Sequence, residues 1–258
     1  VLLIAAAPAS HAEAGNPLTD RFSISLGGFL LDTDTVVRAD GQARGDEVNL
    51  GRDIGLQDSD RFRLDAYWRM TPRQKLRLMY FDTNASGSRV IDEEFTFNDV
   101  VYPVNIEVRG RIETEVTSLA YEFDFLQSDR YELGGTFGIH NLGFKTSLAA
   151  DANGQTAAIS SSSEADGPLP VLGLRGVYRF NDKWYLDGGF QYFQVSIDEY
   201  DGRVTDFNAS VVWQATKHFA FGAGWNGFRT TLEVDGARFD GKLQWRYGGA
   251  RIFVTASF

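Results

Sequence analysis

Cysteine is absent from this 258-residue chain, which excludes a disulfide framework and any thiolate metal site. Cations are in short supply. Lys and Arg number 25 against 35 Asp and Glu, a formal net charge of −10. Nucleic-acid backbones are held by clustered Lys and Arg, so no nucleic-acid partner is expected. Long apolar runs are missing too. The continuous oily stretch Val1 to Pro8 falls far short of the ~20 residues a membrane helix needs. The chain also lacks a P-loop, a dinucleotide fingerprint and any His/Cys cluster. Nucleotide enzymes and metalloenzymes are therefore not expected, and no cofactor or metal is implied.

What is present is aromatic and glycine-rich: 14% aromatics and 27 glycines. Val1 to Pro8 fits the end of a signal-peptide hydrophobic region. Ser10-His11-Ala12, or else Ala12-Glu13-Ala14, supplies a small-x-small cleavage site. The organisation read from this is a signal-peptide remnant over 1–12, a periplasmic N-terminal segment over 13–20, and one barrel domain over 21–258.

Beyond the leader, apolar and polar residues alternate. Phe22, Ile24 and Leu26 alternate with Arg21, Ser23 and Ser25, and Phe62, Leu64, Ala66, Trp68 and Met70 with Arg61, Arg63, Asp65, Tyr67 and Arg69. A period of two marks strands with one oily and one polar face. Short polar turns at Thr71–Gln74, Gln127–Arg130, Asn181–Lys183 and Thr216–His218 separate such runs and read as hairpins. Long connections are expected over Asp32 to Asp60, Asp82 to Arg111 and Ala149 to Gly167. Shorter ones are expected near Asp198 to Gly202 and Asp235 to Asp240. Within the second, Asp92 to Val108 reads as a hairpin rising above the membrane, or as an extra transmembrane pair.

Regular sorting of short and long connections is the pattern of a membrane barrel, with short periplasmic turns and longer extracellular loops. The fold class is therefore all-β: a transmembrane antiparallel up-and-down β-barrel of about ten strands, with eight or twelve as alternatives. Trp68, Phe125, Tyr131, Phe180, Trp184, Trp213 and Phe219 lie close to the short turns on the oily face. That placement is expected of an aromatic girdle at one membrane interface. Leu243, Trp245 and Tyr247 break parity with Ile252, Val254 and Phe258, and Gly248-Gly249 between them is a site where a β-bulge would restore the face.

The last stretch, Gly241 to Phe258, resembles the closing strand of Gram-negative outer-membrane β-barrels. The resemblance implies that the assembly machinery reads Phe258. Asp53-Ile54-Gly55-Leu56, Leu169-Pro170-Val171-Leu172-Gly173-Leu174 and Trp245-Arg246-Tyr247-Gly248 are similar to stretches of small, uncharacterised proteobacterial outer-membrane barrels. Together these imply the bacterial outer membrane as location, with its lipid, its lipopolysaccharide and the barrel assembly machinery as partners. They imply no activity, and oligomeric state is left open.

Parity places Arg63, Asp65, Arg69, Lys75, Arg77, Glu122, Asp124, Glu132, Arg175, Arg179, Asp187, Gln191, Asp206 and Asn208 inside. A ring of about ten strands is narrow, and buried charges must pair. The expected function is a structural barrel with a charge-lined, largely plugged lumen, or else a small-solute channel. An enzyme is not expected. The alternative within that class is a lipid-acting hydrolase using Ser118 as nucleophile and His140 as base, which the turn at Gln127–Arg130 puts opposite one another. A further alternative is loop-mediated adhesion or partner binding. The acidic loop residues Asp32, Asp34, Asp92, Glu93, Glu94, Asp198, Glu199 and Asp201 lack calcium-loop spacing.

Overall fold

A computed structural model describes residues 15–40, 42–151, 158–197, 200–235 and 240–258. The proposed signal remnant and its cleavage sites lie outside the described residues, as do Asp198, Glu199 and most of the 235–240 connection. Ten long antiparallel strands close into a barrel: β1 (Phe22–Ala39), β3 (Gln57–Thr71), β4 (Gln74–Val90), β7 (Glu107–Gln127), β8 (Tyr131–Asp151), β9 (Ala158–Arg179), β10 (Trp184–Ile197), β11 (Tyr200–Gln214), β12 (Phe219–Asp235) and β13 (Asp240–Ser257). Three short strands stand apart: β2 (Val48–Asn49), which bridges to β1, and β5 (Phe95–Phe97) with β6 (Val100–Tyr102), a separate hairpin. That hairpin joins no membrane-spanning ladder, so the Asp92–Val108 region adds no transmembrane pair. β1 and β13 close the ring in unbroken register from Ser23↔Ser257 to Ala39↔Gly241. Toward the short turns each long strand pairs with a neighbour on both sides, as a backbone in lipid requires.

The strands run 14 to 22 residues, whereas a bilayer is crossed in about 9–11. The outward face shows where the crossing ends. Upward from the short turns it carries Phe22, Ile24, Leu26 and Leu30 on β1, Phe219, Phe221 and Trp225 on β12, and Val254 and Ile252 on β13, all exposed. It then turns polar: Asp34 on β1, Asp82 on β4, Glu115 on β7, Asn141 on β8, Gln194 on β10, Arg203 on β11, Arg229 on β12 and Arg246 on β13. The loops expected at Asp32–Asp60, Asp82–Arg111 and Ala149–Gly167 therefore need correction. In each, strand continues well past the point where the outward apolar residues stop. The connections proper shrink to 40–56, 91–106 and the residues between Asp151 and Ala158.

Above that height the inside becomes the oily face. Phe29, Phe81, Val116, Leu142, Phe144, Phe228, Leu243, Trp245 and Tyr247 are buried in one cluster. Phe81 packs at 5.1 Å and Phe228 at 5.3 Å from the Tyr247 ring. No bulge occurs at Gly248-Gly249, because β13 keeps register with both neighbours across it. The parity break arises because Leu243, Trp245 and Tyr247 point inward to this core, while Ile252 and Val254 point outward to lipid.

The barrel is lidded at the long-loop end. Helix α1 (Leu50–Ile54) starts at the Asn49 side chain, which accepts from the Arg52 amide at 2.9 Å, and ends on Gly55 at φ 73°, a left-handed position suited to glycine. Leu50 and Ile54 insert into the core beside Phe95, Phe97 and Tyr102. Tyr102 donates to the Leu148 carbonyl at 3.2 Å, and its burial raises the phenol above its usual range.

Two seams divide the region above the belt. β1 and β3 pair only from Phe22↔Trp68 to Gly28↔Phe62, and β9 and β10 only from Arg179↔Tyr185 to Leu172↔Tyr192. Pro170 and Pro168 follow on β9, and without N–H groups they cannot extend that ladder.

Candidate functional site: the charged lumen

Below the aromatic core, the interior is built from ionised side chains that strand register sets opposite one another. Lys75 lies across from Glu122 on β7. Its ammonium sits 2.8 Å from Glu122, 3.0 Å from Asp124 and in contact with Glu132. Arg77 grips the far side of Glu122. Arg69 reaches Glu132 at 3.0 Å and Asp124 at 3.6 Å. Lys75, Glu122 and Asp124 have essentially no exposure. Three cations thus meet three anions in a buried cluster, and such burial is tolerable only with that pairing.

The carboxylates of Glu122, Asp124 and Glu132 approach within 4.8 Å of one another, the one potential metal-ligand group among the described residues. Lys75 contacts all three. Its ammonium takes the place a metal cation would need, and the charges already balance.

A second layer lies higher. Asp65 receives Arg63 at 2.9 Å and Arg251 at 2.6 Å, and Arg175 meets Asp187 at 2.6 Å. Asp206 is buried with one oxygen unpaired. Asp65, Arg175 and Asp206 line a cavity of about 50 Å³, and Asp20, Asp65 and Asp187 one of about 70 Å³. Spaces of that order admit a few waters, not a solute.

Residues 15–20 close the short-turn end from within. The Pro17 carbonyl accepts from Arg69 at 3.0 Å and from the Tyr67 hydroxyl at 3.4 Å, and Arg69 also donates to the Asp20 carbonyl. Leu18 packs on Val177, Tyr185, Val212 and Ala220. Burial pushes the Asp20 carboxyl above its usual range, opposed by hydrogen bonds and by Arg69.

Of the residues singled out in the sequence, Arg63, Asp65, Arg69, Arg77, Glu122, Asp124, Arg175, Asp187 and Asp206 thus gather in one lumen. Arg179 sits lower, paired with the turn residue Asp182 at 3.1 Å. Ser118 and His140 are direct cross-strand partners, both buried. No hydrogen bond links them among the described contacts. His140 Nε2 pairs with Gln191 at 3.1 Å and its ring stacks on Phe228. Trp68, Phe125, Tyr131, Phe180, Trp184, Trp213 and Phe219 are exposed on the outer face, with Trp184 and Trp213 side by side. Phe258 stacks on His218 at 5.1 Å, and its carbonyl accepts from the Arg21 and Phe22 amides.

Sequence reasoning missed the 15–20 plug and the aromatic core. The first offers no periodicity to read. The second was visible in the parity of Leu243, Trp245 and Tyr247.

No family model matches the chain, and no curated protein does. Solved structures do. The outer-membrane protease OmpT of Escherichia coli superposes with a TM-score of 0.61 at 12% identity, over 93% of this chain and 97% of that one. The transport unit of the E. coli autotransporter AIDA-I gives 0.45 at 10% identity, over 94% and 92%. The Ail protein of Yersinia pestis gives 0.38 at 11%, over 92% and 97%. The latter two scores are too low to carry an argument, and the first shows shared fold alone. The architecture is that of a bacterial outer-membrane barrel.

Proposed function

We propose that this chain is a plugged outer-membrane barrel with a structural role, whose lumen does not conduct and whose upper part is a lidded extension outside the membrane. The observation that carries this reading is that described side chains obstruct the lumen at successive heights, leaving between them cavities of only about 50 and 70 Å³. Residues 15–20 fill the short-turn end, the Lys75 and Asp65 ion-pair layers follow, and the core around Tyr247 under α1 and the β5–β6 hairpin fills the rest. A general porin needs about sixteen strands to hold an aqueous channel.

Planar-bilayer recording of the refolded protein tests this. The wild type should show no unitary steps. Arg175→Ala, which releases Asp187, should at most introduce small ones, and Arg179→Ala should change nothing, because its partner lies at the turn. Large steps in the wild type, indifferent to Arg175→Ala, would establish a pore instead.

One observation favours a second reading, a lipid-acting hydrolase: Ser118 and His140 face each other across one register position. Mass spectrometry of lipid A and phospholipids, from cells expressing wild type or His140→Ala, decides it. A product that vanishes with His140 would make the chain an enzyme.

A further inference from the structure

On the outer wall, just above the apolar belt, one row of the ladder runs Asp34–Arg246–Arg229–Thr205–Tyr192 across β1, β13, β12, β11 and β10. Arg246 and Arg229 are direct cross-strand neighbours on the outward face, and both are exposed. Like charges in that position destabilise a sheet. Arg246 is engaged sideways by Asp34 at 2.8 Å, while Arg229 has no ion pair among the described residues.

The position below is bare. Gly248 and Gly227 pair with each other, and a side chain built on Gly227 would meet nothing within 4 Å. On Gly248 the Trp225 ring lies 3.7 Å from where a Cβ would stand. The result is a notch two strands wide. Its floor is glycine backbone, its lower wall is the exposed Trp225 ring, and the next register position above it carries the exposed Arg229 and Arg246.

We propose that this notch binds the phosphorylated sugar headgroup of an outer-leaflet glycolipid. A phosphate bridging Arg229 and Arg246 would relieve their repulsion through charge-assisted hydrogen bonds. The glycine floor leaves room for a sugar ring beside Trp225, and the acyl chains would run down the belt below. Height selects the lipid source: the arginines stand where lipid headgroups lie, at the rim of the apolar surface, with the barrel oriented long loops outward. The inference rests on that outer-membrane orientation and is independent of whether the lumen conducts.

The test is native mass spectrometry of the folded barrel in detergent, titrated with bisphosphorylated lipid A, its dephosphorylated form and phosphatidylethanolamine. Wild type should retain the bisphosphorylated lipid selectively. Arg229→Gln should weaken retention about fivefold, in keeping with one cation near a lipid phosphate. Gly227→Phe should weaken it by filling the floor while leaving both charges in place. Arg111→Gln, outward on β7 and paired with Glu113, should leave it unchanged. Folding of each variant is read from its heat-dependent gel shift, a property of the barrel that does not require lipid A. Equal retention of all three lipids by wild type, or retention unaltered in both notch variants, would overturn the site while leaving the barrel reading intact. Loss of the gel shift in the wild type would remove the barrel reading itself.

Discussion

Strand β13 passes through both halves of the molecule and buries opposite faces in them. Near the short turns Ile252 and Val254 face out and are exposed, while Arg251 and Thr255 face in and are buried. Further from the turn, Leu243, Trp245 and Tyr247 are the buried set, while Arg246 is exposed. The lower half is arranged for lipid outside and ion pairs inside. The upper half is arranged as a water-soluble barrel, with its oil inside. One continuous ladder therefore serves two solvents, and only side-chain parity changes between them. The halves also differ in backbone. The lower ring is closed by hydrogen bonds all round. Above it the pairings β1–β3 and β9–β10 lapse, and rings such as Phe81, Trp245 and Tyr247 bridge the interior instead.

The largest effect should come from breaking the lower half at its centre. Lys75→Met leaves Glu122, Asp124 and Glu132 buried together without the ammonium they share. Removing one partner of a buried charge cluster costs about 3–5 kcal/mol. The urea midpoint of the refolded barrel should fall accordingly. An unchanged midpoint would mean that the cluster is hydrated and not a dry plug.

Truncation in the upper half should behave differently. Trp245→Ala removes a ring packed on Phe81, Phe228 and Tyr247 and should cost about 3 kcal/mol. The loss should be local, since the lower ring is held independently. Hydrogen exchange should quicken over 241–248 and stay slow over 250–257. Uniform acceleration along β13 would show that the two halves unfold as one.

The parity inversion can be probed from outside as well. Val254→Arg puts a cation on the lipid face and should cost about 2 kcal/mol or more. Gln244→Arg, outward on the same strand but above the belt, should stay within about 0.5 kcal/mol. Equal costs at the two positions would place the membrane boundary elsewhere.

This inversion explains what the sequence did and did not disclose. Strand identity, the short turns and the lumen charges are legible because an oily outer face alternates with polar residues such as Arg63, Asp65 and Glu122. The strand ends are not legible by the same signal. Where lipid contact ceases, at Asp34 or Asp82, outward residues become polar and the stretch reads as loop, although the ladder runs on. Only the inward residues Phe81, Val116 and Phe144 carry the pattern further, in the opposite phase. Leu243, Trp245 and Tyr247 show that phase openly, and the glycines after them read as a bulge only if a barrel has one oily face throughout, which this one does not. The lumen pairing is a different matter. Parity says which charges point in, but that Lys75 meets three carboxylates depends on registers between β4, β7 and β8 that single strands do not specify.

The smallest effect is expected at the outermost contact of the upper half, where Glu47 accepts from Lys242 at 2.8 Å and lies near Arg38. The hydrogen bond from Lys242, opposed by partial burial, holds the Glu47 carboxyl below its usual range. A depressed acid contributes stability that is fully present above its unfolded-state value, near 4.3, and is lost as pH falls through the lowered folded value. Glu47 is nearly half exposed, with 44% of its side chain in solvent, so solvent screening holds the contribution below about 1 kcal/mol. Protection factors for the amides of 46–49 should therefore be alike at pH 7 and pH 5.5, and fall modestly, by less than fivefold, below pH 4. Glu47→Gln should carry the lower protection at every pH and show no such step. If the step persists in Glu47→Gln, another carboxylate on the lid is responsible. If it exceeds tenfold, the lid is coupled to the buried charges below, and the two halves are less independent than their opposite faces imply.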